Sequence, residues 1–144
     1  MKSLPMLFLL VFCPLFTIKA QTWDDYQWKN RILILRDHSL EAKKLNGQLK
    51  VLQSNEKALK ERDLLLFLIV NDGVYKPDGT KSPLSLEDSQ SRWNYQTDFT
   101  GLLLIGKDGG VKLKRDFIVK PAEIFELIDG MPMRKAEMRN SKSD

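Results

Sequence analysis

The stretch Leu64-Leu-Leu-Phe-Leu-Ile-Val70 decides the fold, because all seven of its side chains are apolar. A strand that is apolar on both faces must be covered on both faces, as in the centre of a parallel sheet. A second run, Arg31-Ile-Leu-Ile-Leu35, lies upstream and has four apolar residues in succession. This pattern predicts another buried strand. The two runs therefore predict neighbouring strands at the centre of one sheet.

A helix is predicted between the two runs, since Leu45, Leu49 and Leu52 recur at helical spacing. Asp37 or Ser39 is expected to cap the N-terminus of this helix, because both side chains carry an oxygen that accepts from free backbone N–H groups. A helix that connects two strands of one sheet makes them parallel, with a right-handed crossover.

The second half of the chain contains clear turn signals. Proline and glycine are frequent from 74 to 84, and Asp-Gly and Gly-Gly near 108–110 supply the positive φ angles of a hairpin turn. The predicted elements are a loop over 74–84, a helix from Ser85, strands over 99–105 and 111–115 joined by the turn Gly106-Lys-Asp-Gly-Gly110, and a helix from Pro121.

The resulting order is β-α-β-α-β-β-α, which is the order of the thioredoxin core. The last two strands form an antiparallel hairpin, and the helix after them closes the domain. We therefore predict an α/β, thioredoxin-like fold with a four-stranded mixed sheet flanked by helices.

The first twenty residues differ from the rest. Lys2 precedes an apolar run over residues 4–18, and the small residue Ala20 precedes Gln21. This pattern is typical of a secretory signal peptide, and about twenty residues would be needed to span a bilayer. An uncleaved anchor is the alternative. We predict a signal peptide over 1–20, a thioredoxin-like domain over 21–130 and a basic tail over 131–144, with secretion or periplasmic location and no stable membrane span after cleavage.

Cleavage would also change the charge. The 144-residue chain has a net charge of +4 and one cysteine, Cys13, and cleavage would remove Cys13 with Lys2 and Lys19. The remaining +2 lies in the tail, because residues 21–129 carry 17 basic and 17 acidic side chains. Nucleic-acid binding needs cations concentrated on one surface, so this composition argues against it.

Thiol chemistry is not expected at the position where related folds perform it. Redox members of the fold carry Cys-x-x-Cys after the first strand, whereas this chain has Arg36-Asp-His-Ser39. The usual proline before the third strand is also missing from 96–99. Asp37, His38 and Ser39 offer an acid, a base and a nucleophile, but triads are assembled from distant segments. Caps and an exposed loop histidine are the simpler interpretation.

Other candidate sites have equally simple structural interpretations. A single histidine excludes a histidine-rich metal site, and the carboxylates near the second turn match no calcium loop. The glycine-rich turn could bind an anion but is needed for the hairpin. The aromatic residues could line a groove or seal the core. The carboxylates are Asp72, Asp78, Glu87 and Asp88, and the aromatic residues are Trp23, Tyr26, Trp28, Trp93 and Tyr95.

Four stretches are distinctive: Arg62-Asp-Leu-Leu, Leu104-Ile-Gly-Lys-Asp-Gly-Gly-Val-Lys-Leu-Lys114, Pro121 with Ile124-Phe125, and Ile128-Asp-Gly-Met-Pro-Met-Arg134. They resemble a thioredoxin-like domain of unknown function. That domain occurs in small secreted bacterial proteins and in vertebrate sushi-repeat-containing and coiled-coil-domain-containing extracellular-matrix proteins. The resemblance spans about Trp28 to Arg139 and implies a thioredoxin- or peroxiredoxin-like fold, with no established reaction.

The resemblance also singles out particular residues. Lys107 and Arg134 have no evident packing role in the sequence, so both are candidates for a shared surface. Asp108 is a further surface candidate, as are Asp37 and His38 from the end of the first strand, and no catalytic, cofactor or metal residue is predicted. The positions that match the motifs of the family are Asp63, Gly106, Lys107, Asp108, Gly109, Arg115, Met131, Pro132 and Arg134.

We therefore expect a secreted, thioredoxin-like binding or interaction module without thiol chemistry, whose partner is an unidentified envelope or extracellular protein. The alternative is a peroxiredoxin-like oxidoreductase that uses a non-cysteine site. A third hypothesis is a bacterial matrix or envelope adhesion factor that is retained at the cell surface through Arg134 and Lys135.

Overall fold

The computed structural model describes residues 20–142, so the predicted signal peptide lies outside the described residues apart from Ala20. A short 3-10 helix over Trp23–Tyr26 precedes the sheet. The strands are β1 (Arg31–Arg36), β2 (Leu64–Val70), β3 (Gly73–Tyr75), β4 (Gly101–Ile105) and β5 (Val111–Arg115). The helices are α1 (Lys43–Gln53), α2 (Glu56–Lys60), α3 (Leu86–Trp93), α4 (Pro121–Asp129) and α5 (Pro132–Asn140).

The strands form one mixed sheet in the order β3-β2-β1-β4-β5. β1 and β2 are parallel, with Arg31 opposite Leu64, and all other neighbouring pairs are antiparallel. α1, α2 and α4 pack on one face, whereas α3 and the 3-10 helix pack on the other. The predicted α/β architecture with a thioredoxin-like mixed sheet is confirmed.

The sheet has five strands rather than the four predicted. The sequence predicts a loop at Val74 and Tyr75, but these residues pair with Ile69 and Leu68 as a short antiparallel strand. The prediction failed because the prolines and glycine of 74–84 are typical of a loop. The tight turn at Asn71 and Asp72 nevertheless brings the chain straight back alongside β2, where it forms β3.

The predicted cap of the first helix is wrong. α1 begins at Lys43 after Ala42, whose side chain provides no cap, and neither Asp37 nor Ser39 is at its N-terminus. The Asp37 carboxylate instead accepts the N–H of His38 at 2.8 Å, and the Asp37 N–H donates to Ile69 at 3.1 Å. These bonds keep the chain extended past the end of β1, which delays the helix.

The segment after Gly130, which is predicted as a basic tail, contains a helix. Pro132–Asn140 forms α5, although none of its residues is fully buried. The helix is attached through ion pairs of Arg134 and Glu137 and through Met131, which packs against the core. Because α5 has few apolar residues, the sequence pattern does not predict that it packs against the domain.

The aromatic residues mainly complete the core. Trp23 and Trp93 are buried with ring centroids 4.9 Å apart, and Tyr95 is buried on the same face of the sheet. Trp28, by contrast, is exposed. No helix in the range 20–142 has both the length and the apolar character needed to cross a membrane.

Candidate functional site

The first region to consider is the end of β1, where the fold class carries its redox centre. Arg36 is 1% exposed, and its guanidinium donates to Asn71 Oδ1 at 2.8 Å and to the Thr97 carbonyl at 2.7 Å. It also donates to the carbonyl of Asp37. All three acceptors are neutral oxygens, and burial lowers the pKa of Arg36.

Two other side chains near this end, those of His38 and Tyr95, could take part in proton transfer. His38 is exposed, as expected for a loop histidine, and it borders a cavity of about 190 Å³ with Asn71 and Tyr75. Tyr95 is buried, and burial raises its pKa despite a hydrogen bond of 2.5 Å with Ser89. This end of the sheet has no cysteine, and no metal-binding group of histidine, cysteine, aspartate or glutamate is found in residues 20–142.

The opposite end of β1 holds a set of charged residues that we call the Glu137 cluster. Arg31 is 1% exposed and donates two hydrogen bonds to the Glu137 carboxylate, at 3.1 and 3.2 Å. Such bidentate pairs are among the strongest polar contacts in proteins. The cluster comprises Arg31, Arg62, Lys107 and Arg134 with the carboxylates of Asp63, Asp129 and Glu137.

Lys107 connects two parts of this cluster. Its Nζ lies 2.7 Å from Asp63 Oδ2 and 2.8 Å from Glu137 Oε1, and its side chain is 10% exposed. Burial would lower the pKa of Lys107, but the two carboxylates outweigh it and raise that pKa. Asp63 has a left-handed backbone, with φ of 49°, and so forms the turn into β2 as well.

Asp129 is the other carboxylate centre. Arg62 donates to both of its oxygens, at 3.0 and 2.6 Å, and Arg134 donates to Oδ1 at 3.2 Å. Arg134 also lies 3.5 Å from Glu137. Lys107 and Arg134 therefore do have structural contacts, although no packing role was evident in the sequence.

A cavity of about 400 Å³ adjoins the cluster, between the β4–β5 turn and the start of α5. We call it the motif pocket, because Gly106, Lys107, Asp108, Met131 and Pro132 line it and all five match the resemblance motifs. Asp108 also holds the turn, accepting from Gly110 N at 3.0 Å and from Lys112 Nζ at 2.6 Å. These bonds lower the pKa of Asp108.

The predicted hairpin turn is confirmed. The Gly106 N–H donates to the Gly110 carbonyl at 2.9 Å, and Gly109 adopts the positive φ of 84° that favours glycine. The turn thereby places Lys107 towards the cluster and Asp108 beside the pocket.

The structure thus separates the predicted surface residues into two groups. Lys107, Asp108 and Arg134 lie together at one end of the sheet, whereas Asp37 and His38 lie at the other. Sequence reasoning missed Arg31 and Glu137. The only signal for Arg31 was a charge that directly adjoins a buried strand, and Glu137 was hidden in the supposed tail.

A second cavity, of about 480 Å³, lies along the edge of β2 that faces away from β1. β3 covers this edge only from Leu68 to Val70, so Leu64–Phe67 has no neighbouring strand there. We call this cavity the β2 groove. Leu59 of α2 lines it on one face of the sheet and Tyr26 on the other, together with Pro77.

The backbone of β2 has unpaired hydrogen-bonding groups in this groove. In a parallel pair alternate residues face the partner strand, and the bonds Arg31 N to Asp63 O and Asp37 N to Ile69 O show that odd-numbered residues of β2 face β1. The N–H and C=O groups of Leu64 and Leu66 therefore face the groove. Neither residue has a backbone partner on that side among residues 20–142.

Comparison with known proteins places this geometry in context. A search of the curated proteins finds no significant match. Among solved structures the chain is similar to the reduced 2-Cys peroxiredoxin of Plasmodium vivax, with a TM-score of 0.52 and 14% identity. The similarity covers 79% of this chain and 72% of that chain, and it shows the thioredoxin-like fold alone. A family match over residues 22–137 includes the Glu137 cluster and every residue that lines the motif pocket. The chain belongs to the family of the domain of unknown function DUF4174.

Proposed function

We propose that this protein is a secreted interaction module without thiol redox chemistry, and that it binds an extended segment of an envelope or extracellular protein in the β2 groove. The observation that carries the proposal is the open edge of β2, where Leu64 and Leu66 present unpaired backbone groups inside an apolar cavity. An extended peptide that adds a strand to a sheet edge satisfies such groups.

The walls of the groove favour one extended segment over a second folded copy. Leu59 and Tyr26 line the groove on opposite faces of the sheet, so a strand added to the edge of β2 would lie between them. Pro77 follows β3 closely and has no N–H, so the chain cannot continue β3 along Leu66 with full pairing. A segment from a partner would continue the line of β3.

The opposite edge of the sheet gives no comparable surface. β5 is mostly exposed, carries Lys112, Lys114 and Arg115, and has a register shift against β4 between Leu104 and Ile105. Lysines and bulges on an edge strand are the usual protection against pairing with another chain. We therefore expect a partner strand to add to the edge of β2 and not to the edge of β5.

The cysteine content supports a function that does not use a thiol. Cys13 is the only cysteine, and it lies in the predicted signal peptide. A mature chain that begins at Gln21 would have no thiolate for peroxide or disulfide chemistry. Mass spectrometry of the protein from the extracytoplasmic fraction tests this, with an N-terminus at Gln21 as the expected result.

The binding proposal is tested by photo-crosslinking in the native cells. A photoreactive amino acid at Lys76, beside the groove, is expected to give a discrete covalent adduct with an envelope or extracellular protein. The same amino acid at Lys114, on the β5 edge, is expected to give none.

Two proline variants provide the matched control. Leu66→Pro removes an N–H that faces the groove, and Lys114→Pro removes an N–H that faces outward from β5, so neither breaks a bond of the sheet. The adduct should disappear in Leu66→Pro and persist in Lys114→Pro, with both variants folded by circular dichroism. Equal adducts from both edges, or adducts unaffected by Leu66→Pro, would contradict the proposal.

The peroxiredoxin-like fold is the observation that favours the enzymatic alternative. We expect no peroxide or disulfide turnover by the purified mature protein. Turnover that Arg36→Met or Tyr95→Phe abolished would support the alternative, because both residues lie buried near the end of β1.

A further inference from the structure

We infer that the motif pocket is a binding site for a small amphipathic anion, with a carboxylate or phosphate head and an apolar body. This site lies apart from the β2 groove and is independent of the function proposed there. Its volume of about 400 Å³ falls within the range of small-molecule sites.

The polar lining of the pocket is positive. Arg31, Lys107 and Lys112 line it with a single carboxylate, that of Asp108. The carboxylates of the Glu137 cluster neutralise part of this charge, but they are not among the lining residues. Charge complementarity therefore selects an anion.

The start of α5 adds backbone donors to the same wall. Pro132 is the first helical residue, and the cap residue Met131 has no oxygen in its side chain. The N–H groups of Met133 and Arg134 have no acceptor among residues 20–142. Free N–H groups and the helix dipole favour a negative group at a helix N-terminus.

An unpaired buried donor gives independent support. Arg31 lines the pocket and is 1% exposed, yet its Nε has no hydrogen-bond partner in the described part of the chain. Buried polar atoms without a partner are rare in folded proteins, and a bound group is one of the explanations for such an atom.

The remaining wall is apolar and adaptable. Leu127 and Met133 are 38% and 39% exposed, respectively, and Met131 is partly buried beside them. Methionine fits varied apolar shapes because its side chain is unbranched and polarisable. The apolar body of the ligand is expected to lie here while its head faces Lys107, Lys112 and the start of α5.

Four probes with the same eight-carbon chain test the ligand class: octanoate, octyl phosphate, octanol and octyltrimethylammonium. In calorimetry with the protein purified from its native cells, octanoate or octyl phosphate is expected to bind about tenfold or more tightly than octanol. In NMR spectra of the protein, the methyl signals of Met131 and Met133 should shift when the anion is added, whereas the methyl signal of Met138 should not. The tighter of the two anions identifies the head group.

Two lysine variants on one strand complete the test. Lys112→Met removes a cation of the pocket and leaves the Asp108 carboxylate without its ion-pair partner, so it should weaken anion binding about fivefold or more. Lys114→Met, outside the pocket, should leave the affinity unchanged. Met133→Glu should abolish binding by placing a negative charge in the apolar wall.

Three results would overturn the inference: equal binding of octanol and the anions, preferential binding of the cationic probe, or unshifted signals of Met131 and Met133. Crosslinks from the β2 groove are measured separately and do not depend on these results. Failure here would therefore leave the proposed function standing, and the reverse also holds.

Discussion

The two ends of β1 carry the same residue in the same state of burial but with different partners. Arg31 and Arg36 are both 1% exposed, and the Nε atom of each has no partner in residues 20–142. Arg31 pairs with the carboxylate of Glu137, from a residue 106 positions away, whereas Arg36 donates to neutral oxygens of Asp37, Asn71 and Thr97.

The difference shows two ways of keeping a buried guanidinium charged. At the Arg31 end a carboxylate supplies the opposite charge and simultaneously attaches α5. At the Arg36 end neutral oxygens replace water and hold three segments of chain at the edge where a redox centre would lie. In the first arrangement the hydrogen-bonded partner is itself a carboxylate that acid can protonate, whereas in the second the Asp37 carboxylate acts on Arg36 only through its charge, without a hydrogen bond.

The largest expected effect comes from removing the opposite charge at the Arg31 end. Glu137→Gln leaves Arg31 buried without a carboxylate, which should lower the free energy of unfolding by about 3 kcal/mol. Urea denaturation at neutral pH measures it, with Glu126→Gln on exposed α4 surface as the control. Equal small losses in the two variants would show that the pair is not a main attachment of α5.

A smaller loss is expected at the Arg36 end. Arg36→Met leaves the Asp37 and Thr97 carbonyls without their donor but also removes a desolvated cation, so we expect a loss of about 2 kcal/mol. The exposed Lys57→Met serves as the control in the same denaturation experiment. A loss larger than that of Glu137→Gln would reverse the ranking of the two ends.

Lowering the pH should weaken the Arg31 end of β1 more than the Arg36 end. Burial raises the pKa of Glu137, but hydrogen bonds from Arg31 and Lys107 outweigh it and lower that pKa below 4.5. A carboxylate with a lowered folded-state pKa stabilises the fold above its unfolded pKa, and this stability is lost as the pH falls through the folded value.

The pH dependence of unfolding from pH 6 to 3 measures this contribution. Glu137→Gln should lose less stability over that range than the natural protein, and Arg36→Met should keep the natural slope. A flattened slope in Arg36→Met would mean that its end also depends on a carboxylate.

The smallest expected effect comes from making the two ends alike. Asn71→Asp places a carboxylate where Asn71 Oδ1 accepts from Arg36, and because residue 71 is exposed the gain at pH 7 should be about 0.5 kcal/mol. The gain should vanish at pH 3, where the new carboxyl is protonated. Thermal unfolding at both pH values measures it, and destabilisation at pH 7 would show that the neutral oxygen is required.

The central sheet could be predicted because its signals are local and strong. The apolar runs of β1 and β2, the Asp-Gly turn and the proline at position 121 each determine nearby backbone structure directly. β3 could not be predicted from the same signals, because its three residues depend on pairing with Leu68–Val70 and on nothing in their own pattern.

The candidate sites were less accessible to sequence reasoning. Lys107 and Arg134 stood out through a resemblance, but their contacts with Glu137 join segments that are far apart in the chain. The β2 groove depends on where β3 stops, and the motif pocket depends on where α5 begins. Both are properties of the assembled sheet and helices, which periodicity does not describe.

The pairing of Arg31 with Glu137 also determines how much of the chain is needed to complete the fold. The first strand contains one member of the pair, and the last helix contains the other. Every residue from Arg31 to Glu137 must therefore be present before this end of the sheet is closed. A fragment that ends at residue 130 would contain every strand but would keep Arg31 without its carboxylate.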